Sequence, residues 1–266
     1  MSEFSSEFER AISVFVHGFA FTRSFTHPYR VETLSEGVWA LRDAPRSRGD
    51  YRTDEVVAAA AADIPVAELD ALARTGTRGR FRVCYLLPAG DPDAAMRAAF
   101  KALGYRLMAT EALMIHRLTG LTPIAAAPYP VTRLTTGAQA ERLTRAAGRR
   151  QILPEHLPEH LSAEPAPMRQ YMALDGEAPV GWVGSVVVGD CSWCTSMFVR
   201  PTYRRRGIGR ALLNRMLADD RDAGAEANVL LASHAGAKLY PAVGYETLGT
   251  LYMFTPPKPP KEAAQP

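Results

Sequence analysis

Residues Arg204–Leu213 read RRRGIGRALL, three arginines running into Gly-Ile-Gly and then into an apolar-periodic stretch. Glycines at the first turn of a helix let the backbone approach an anion closely, and the free N–H groups of that turn point at it. The helix dipole favours negative charge there, and Arg205, Arg206 and Arg210 can add full charges. The pattern reads as a phosphate cradle, and the plainer alternative is a glycine-containing helix start with solvated arginines. A dinucleotide fingerprint would need a third glycine or alanine where Leu212 stands, and a nucleoside-triphosphate loop would need Gly-Lys-Ser/Thr. Neither is present. Nucleic acid would call for a wider basic surface or stacking aromatics.

A second chemical candidate, Cys191-Ser-Trp-Cys194, has redox or zinc spacing, but it lies in a β-rich stretch where residues three apart face opposite ways. No second pair completes a zinc site, and no helix start follows to activate a thiolate, so these are expected to be buried strand cysteines, and no metal is expected. Three cysteines make no disulfide framework. Among 266 residues, 31 basic side chains face 28 acidic ones for a net charge of +3, too even a balance for a polybasic binder of nucleic acid or membranes. The longest aliphatic run, Val56–Ala62, is too short to span a bilayer, and the acidic start MSEFSSEFER is unlike a signal peptide. A cytoplasmic location is the expectation.

The elements that must carry these residues follow from periodicity. Phe8, Ile12, Phe15 and Phe19 share one face of a predicted first helix. Strands are predicted at Tyr29–Glu36, Val38–Asp43, Glu55–Ala61, Phe81–Leu87 and Tyr105–Leu118, with helices after Pro65 and over Asp93–Leu103. The proline-bearing break Leu118–Pro130 marks a boundary. Beyond it come a strand at Val131–Leu134, a helix at Gln139–Arg149, and the irregular LPEHLPEHLSAEPAP segment. Strands at Arg169–Leu174, Val180–Val188 and Cys191–Val199 precede the arginine–glycine stretch and its helix. A strand at Val229–Ala232, a short helix and a last strand from Tyr245 follow. The ending PPKPPKEAAQP reads as polyproline-like and disordered. Ala102-Leu103-Gly104-Tyr105 and Ala242-Val243-Gly244-Tyr245 repeat at an offset of 140 residues, each after a strand and a helix, which suggests a diverged duplication.

The stretch Arg204–Gly209, together with MFVRPTYR before it and RALLNRML after it, resembles the Arg/Gln-x-x-Gly-x-Gly signature of the GCN5-related N-acetyltransferase (GNAT) superfamily. Ser233–Tyr245 is similar to that family's Asn-x-x-Ala-x-x-Leu-Tyr-x-x-x-Gly-Phe block. The resemblance covers about residues 129–256. It implies an α/β (α+β) fold with a mixed, mostly antiparallel central sheet flanked by helices, here in a tandem arrangement. A family-specific or diverged GNAT-like domain would occupy residues 1–125, a catalytic domain residues 129–256, and a proline-rich tail residues 257–266. It also implies acetyl-CoA as co-substrate. Met197, Phe198 and Val199 would contact the pantetheine arm and thioester beside a bulge. Arg204, Arg205, Arg206, Gly207, Ile208, Gly209 and Arg210 would hold the pyrophosphate. The backbone N–H of Phe198 or a neighbour would be the oxyanion donor, and Tyr240 the acid for the leaving thiolate. Ser233 stands where the family has asparagine, with a shorter reach to the CoA arm.

The general base is not assigned by this resemblance. No acid lies on Cys191–Val199, and Asn228 falls where some relatives carry a glutamate; His156, Glu155, His160 and Glu159 are the candidates beside the acceptor cleft. In the first half Phe100 stands at the Tyr240 offset and cannot donate a proton, so that half is expected to lack chemistry and to shape the acceptor site. The expected activity is N-acetylation of a primary amine of a small molecule or peptide, with no nucleic-acid or membrane partner; a homodimer is compatible with the chain. The competing reading is a non-catalytic acyl-CoA-binding sensor.

Overall fold

A computed structural model of the chain describes residues 6–24, 29–43, 52–121, 129–153, 156, 157, 160, 166–234 and 236–258. Its order is α1 (Glu7–Ser24), β1 (Tyr29–Ser35), β2 (Val38–Asp43), β3 (Asp54–Ala59), α2 (Val66–Gly76), β4 (Phe81–Pro88), α3 (Ala94–Ala102) and β5 (Arg106–His116). Then come β6 (Val131–Arg133), α4 (Gly137–Ala146), β7 (Met168–Asp175), β8 (Ala178–Val188), β9 (Cys191–Val199), α5 (Ile208–Asp222), β10 (Ala227–Ala232) and β11 (Glu246–Thr255). The expected elements are present with ends shifted by a few residues. The largest shifts are at α4 and at the short helix before β11. Thr136 and Gln139 form a reciprocal capping box that starts α4 earlier, and the short helix is a pair of 3₁₀ turns, Gly236–Lys238 and Tyr240–Val243. The proline-rich tail expectation falls, from residue 259 on, outside the described residues.

The described strands form one eleven-stranded sheet in the order β1-β2-β3-β4-β11-β5-β10-β9-β8-β7-β6. Only β3–β4 and β9–β10 pair in parallel; every other neighbour is antiparallel. The two halves mirror one another about the β5–β11 pair. Each has a three-strand antiparallel meander (β1-β2-β3 and β7-β8-β9), a helix crossing to a parallel strand, a short helix or 3₁₀ turns and a final strand, and the second half adds β6 and α4 before its meander. The final strands are exchanged: β5 lies against β10 of the second half, and β11 against β4 of the first. The repeated Gly-Tyr junction keeps its geometry, with Phe100 and Tyr105 edge-to-face at 5.3 Å and 71°, and Tyr240 and Tyr245 at 5.5 Å and 69°. Gly104 and Gly244 both take the left-handed conformation that ends each turn (φ 80° and 99°).

α1 crosses the middle of one sheet face. Ile12, Phe15 and Val16 are buried in a cluster with Leu41 and Val57 of the first half and Val186, Trp193 and Val229 of the second. A Cβ on Gly18 would meet Trp193 Cβ at 2.4 Å, so the helix lies nearly in contact with β9. The opposite face of the second half is covered by α5, whose Ile208, Leu212, Leu213, Met216 and Leu217 pack on Tyr171, Val183, Cys194 and Leu230.

Candidate active site

The site begins where β9 stops pairing. β9 and β10 are in parallel register over Cys191–Ala227, Ser192–Asn228 and Trp193–Val229, and no further. On its other side β9 carries a bulge: Trp182 pairs with Phe198 and Gly184 with Thr195, so Ser196 and Met197 together oppose Val183. Ser196 takes the left-handed conformation (φ 56°), the conformation that the first residue of a G1-type bulge adopts. The two parallel strands therefore part into a V with its floor at Trp193 and Val229. In the first half β3 and β4 stay paired over six residues from Asp54 to Ala59, and no V opens.

At the mouth of the V the chain turns from β9 through Pro201–Tyr203 into α5. Gly207 is the N-cap with φ 78°, which a side chain would strain, and it has no side-chain capping bond, so the first-turn N–H groups are left for another acceptor. Arg205 also has positive φ (64°); alternating left-handed residues make a concave nest of N–H groups. Gly209 is needed for closeness: a Cβ there would meet Leu239 Cδ2 at 3.0 Å and Met197 Cε at 3.1 Å. The arginines divide by role. Arg204 Nε donates to Val199 O at 3.1 Å and closes the loop on β9. Arg206 donates to Tyr129 Oη at 3.1 Å and lies over the Tyr203 ring at 5.2 Å. Arg205 and Arg210 are exposed and make no ion pair among the described residues.

Tyr240 is buried at 7% exposure in the α5-face cluster that also holds Cys194, Ala232 and Tyr245. Burial raises its pKa well above the ordinary tyrosine value, and the nearby Cys194 and Glu111 add to the shift, so it stays a protonated donor at neutral pH. Its hydroxyl makes no hydrogen bond with a described residue, and Gly236 leaves room beside it: a Cβ there would lie 3.7 Å from Oη. Ser233 Oγ accepts from Gly236 N at 3.3 Å, capping the 3₁₀ turn, and keeps its own O–H to donate.

Asn228 is fully buried and has a structural place. It donates to Ser192 Oγ at 2.8 Å and Asp220 Oδ2 at 3.0 Å, and accepts from Tyr245 Oη at 2.5 Å. Asp220, on α5, also accepts from Arg169 at 2.6 Å and from Ser185 and Ser192. This network ties α5 to β7, β8, β9 and β10, and so fixes where its N-terminus sits. The cysteines lie on opposite sheet faces, Cys191 in the α1 cluster and Cys194 in the α5 cluster. Burial pushes both thiols up, Cys191 to about 11, which keeps them unreactive at neutral pH.

On the other face of the sheet, beside the bulge, lies a cleft of about 310 Å³ bordered by Ser196, Met197, Phe198, Trp182, Gln170, His156, Thr144 and Arg149, among others. His156, one of the four candidate bases, lines it; His160 does not, and Glu155 and Glu159 lie outside the described residues. His156 is 4% exposed, and burial lowers its pKa, as does the charge of Arg149, against the bond to Gln170. Sequence reasoning missed Glu111. It lies on β5 one residue beyond the Ala112–Ala232 pair that ends the β5–β10 ladder, half-buried, with its pKa raised by burial. Nothing local marks it, because only the strand exchange brings it within electrostatic reach of Tyr240.

Comparison with known proteins agrees with this geometry. Residues 167–247 match the family model described as acetyltransferase (GNAT) domain. No curated protein matches the chain. Among solved structures, a GCN5-related N-acetyltransferase from Kribbella flavida is similar over 96% of this chain and 97% of its own, with TM-score 0.66 and 16% identity. One from Sphaerobacter thermophilus is similar over 81% of this chain and 75% of its own, with TM-score 0.58 and 19% identity. A tandem GNAT protein from the clavulanic acid biosynthesis pathway covers 96% of this chain and 95% of its own, with TM-score 0.53 and 12% identity. At these identities the likeness establishes a shared fold.

Proposed function

From a chain whose residues 167–247 form a GNAT domain, we propose an N-acetyltransferase that moves an acetyl group from acetyl-CoA to a primary amine of a small molecule or peptide. The observation that carries the reading is the parting of β9 and β10 beside a bulge, opening directly onto a glycine-started helix. Acetyl-CoA would supply a thioester open to attack by an amine. The nest at Arg205–Gly209 and the exposed Arg205 and Arg210 suit its pyrophosphate, with Arg204, Arg206 and Ile208 shaping the loop. The edges of Met197, Phe198 and Val199 suit its pantetheine arm, and the O–H of Ser233 can reach it from the other side. A bulge N–H at Phe198 or its neighbour is placed to stabilise charge developing on the thioester oxygen. Tyr240 Oη donates its proton to the departing sulfur. In this reading residues 129–256 form the transferase unit, residues 1–125 a diverged GNAT-like half without a V, and residues 257–266 a tail.

A second reading, an acyl-CoA-binding module without catalysis, is favoured by one observation: the Ser233 hydroxyl already caps a turn. Thiol release from acetyl-CoA in the presence of an amine panel separates the two. The transferase reading predicts turnover that falls by about 10²-fold or more in Tyr240→Phe, the usual scale of lost acid catalysis, with CoA binding retained. Tight CoA binding with no turnover on any amine would instead support the binding module.

A further inference from the structure

The cleft beside the bulge is lined in part by residues with buried polar atoms that lack a partner among the described residues. Gln170 Nε2 donates to Val183 O at 2.9 Å, which orients the amide and turns Oε1 toward His156, 3.3 Å from its Nε2. An amide oxygen only accepts, so the imidazole carries its proton on Nε2 and leaves Nδ1 a bare acceptor. Nδ1 is buried without a partner among the described residues, as is Thr144 Oγ1, and both residues line the cleft. These are two of the four buried side-chain nitrogen and oxygen atoms in the described structure without a partner. Buried polar atoms are costly to leave unpaired, so two of them on residues of one cleft point to an occupant that bonds them.

The rest of the cleft specifies that occupant further. Gly148 (φ 68°) ends α4 and the Arg149 N–H bonds Thr144 O at 3.0 Å, so Arg149 is set at the cleft rim by the helix C-terminus. It is exposed and makes no ion pair among the described residues, yet its charge reaches His156. Trp182 and Phe198 stack at 4.6 Å and 25°, making a flat apolar wall at the bulge. The volume is at the small end for ligand pockets, below what a large polycationic sugar needs. A cation at the rim repels amines that carry no acid.

We propose that the acceptor is an amino-acid-type amine, with a carboxylate held by Arg149, an apolar body against Trp182 and Phe198, and its amino group on His156 Nδ1. This deepens the transferase reading and rests on it for the reaction step. There the amine nitrogen forms the C–N bond as the C–S bond breaks. The proton lost from nitrogen goes to His156 Nδ1, and Tyr240 protonates the thiolate.

The test uses the full chain with L-phenylalanine and 2-phenylethylamine, which differ by the carboxylate. Expected is a kcat/KM at least tenfold higher for L-phenylalanine. Arg149→Met should erase that preference by raising KM for L-phenylalanine about tenfold or more, the scale of a lost charged hydrogen bond, while leaving acetyl-CoA affinity unchanged. Equal use of both amines, or a loss in Arg149→Met common to both, overturns the proposal and leaves the transferase reading standing. If neither amine releases thiol, calorimetry of L-phenylalanine with CoA present decides. Binding abolished by Arg149→Met keeps the site and overturns the transferase reading, whereas absence of binding overturns the site.

Discussion

His156 shows how a residue's environment singles out one candidate among several. In the sequence it was one of four candidates in a repeated Leu-Pro-Glu-His segment; in the fold, Gln170 sets its tautomer and burial keeps it neutral. The consequence for stability has a definite sign. Burial lowers the pKa of both His156 and His116 below the ordinary 6.5, so the folded state binds fewer protons than the unfolded one. Their contribution is complete above 6.5 and is lost as pH falls through the lowered values. Glu55 and Glu111, whose pKa values burial raises above the ordinary 4.5, act oppositely and gain stability as they protonate. The His156 share is therefore isolated by difference. The melting temperature of His156→Gln should fall less than that of the unaltered protein between about pH 7.5 and pH 5.5. Equal slopes would show that His156 is not held neutral. Tyr240 was a candidate in the sequence through the family resemblance of Ser233–Tyr245, and only the fold shows its burial beside Cys194 and Tyr245. Glu111 was not, because its place depends on a pairing with a strand 112 or more residues away in the chain.

At the level of elements, the fold was legible wherever periodicity and punctuation governed it. α1 was read from its Phe8, Ile12, Phe15 and Phe19 face, and the V from the signature that follows β9. What local sequence did not carry was the polar peg holding α5. Asp220 is one of several acids near the end of α5, and only the fold buries it at 0% exposure among Arg169, Ser185, Ser192 and Asn228. Removing one partner of a buried pair leaves the other uncompensated, so Asp220→Ala should destabilise by about 3–5 kcal/mol in urea unfolding. It should also weaken acetyl-CoA binding, because the N-terminus of α5 shifts with the helix. A loss below about 1 kcal/mol would mean the network is not what seats α5.

The whole molecule repeats one plan of strands and helices, and among the described residues its second half alone opens a V between parallel strands. The repeat at offset 140 announced the duplication, and the matched Phe100–Tyr105 and Tyr240–Tyr245 pairs give it physical form. The exchange of β5 and β11 was beyond reach of the sequence, since either strand satisfies the same hydrophobic pattern in its own half or in the other. Its result is that neither half has a complete sheet of its own, and α1 fastens both. In the first half β3 and β4 stay paired where β9 and β10 part, and Phe100 replaces the donor tyrosine, so the account allows one donor site per chain.

That the second-half V and the glycine-started helix hold acetyl-CoA is open to calorimetric titration of acetyl-CoA into the full chain and into Gly207→Val. The account predicts one site per chain, weakened by about tenfold or more in the variant, whose left-handed N-cap no β-branched residue adopts without strain. Two sites per chain, no binding, or an affinity indifferent to Gly207→Val would contradict it.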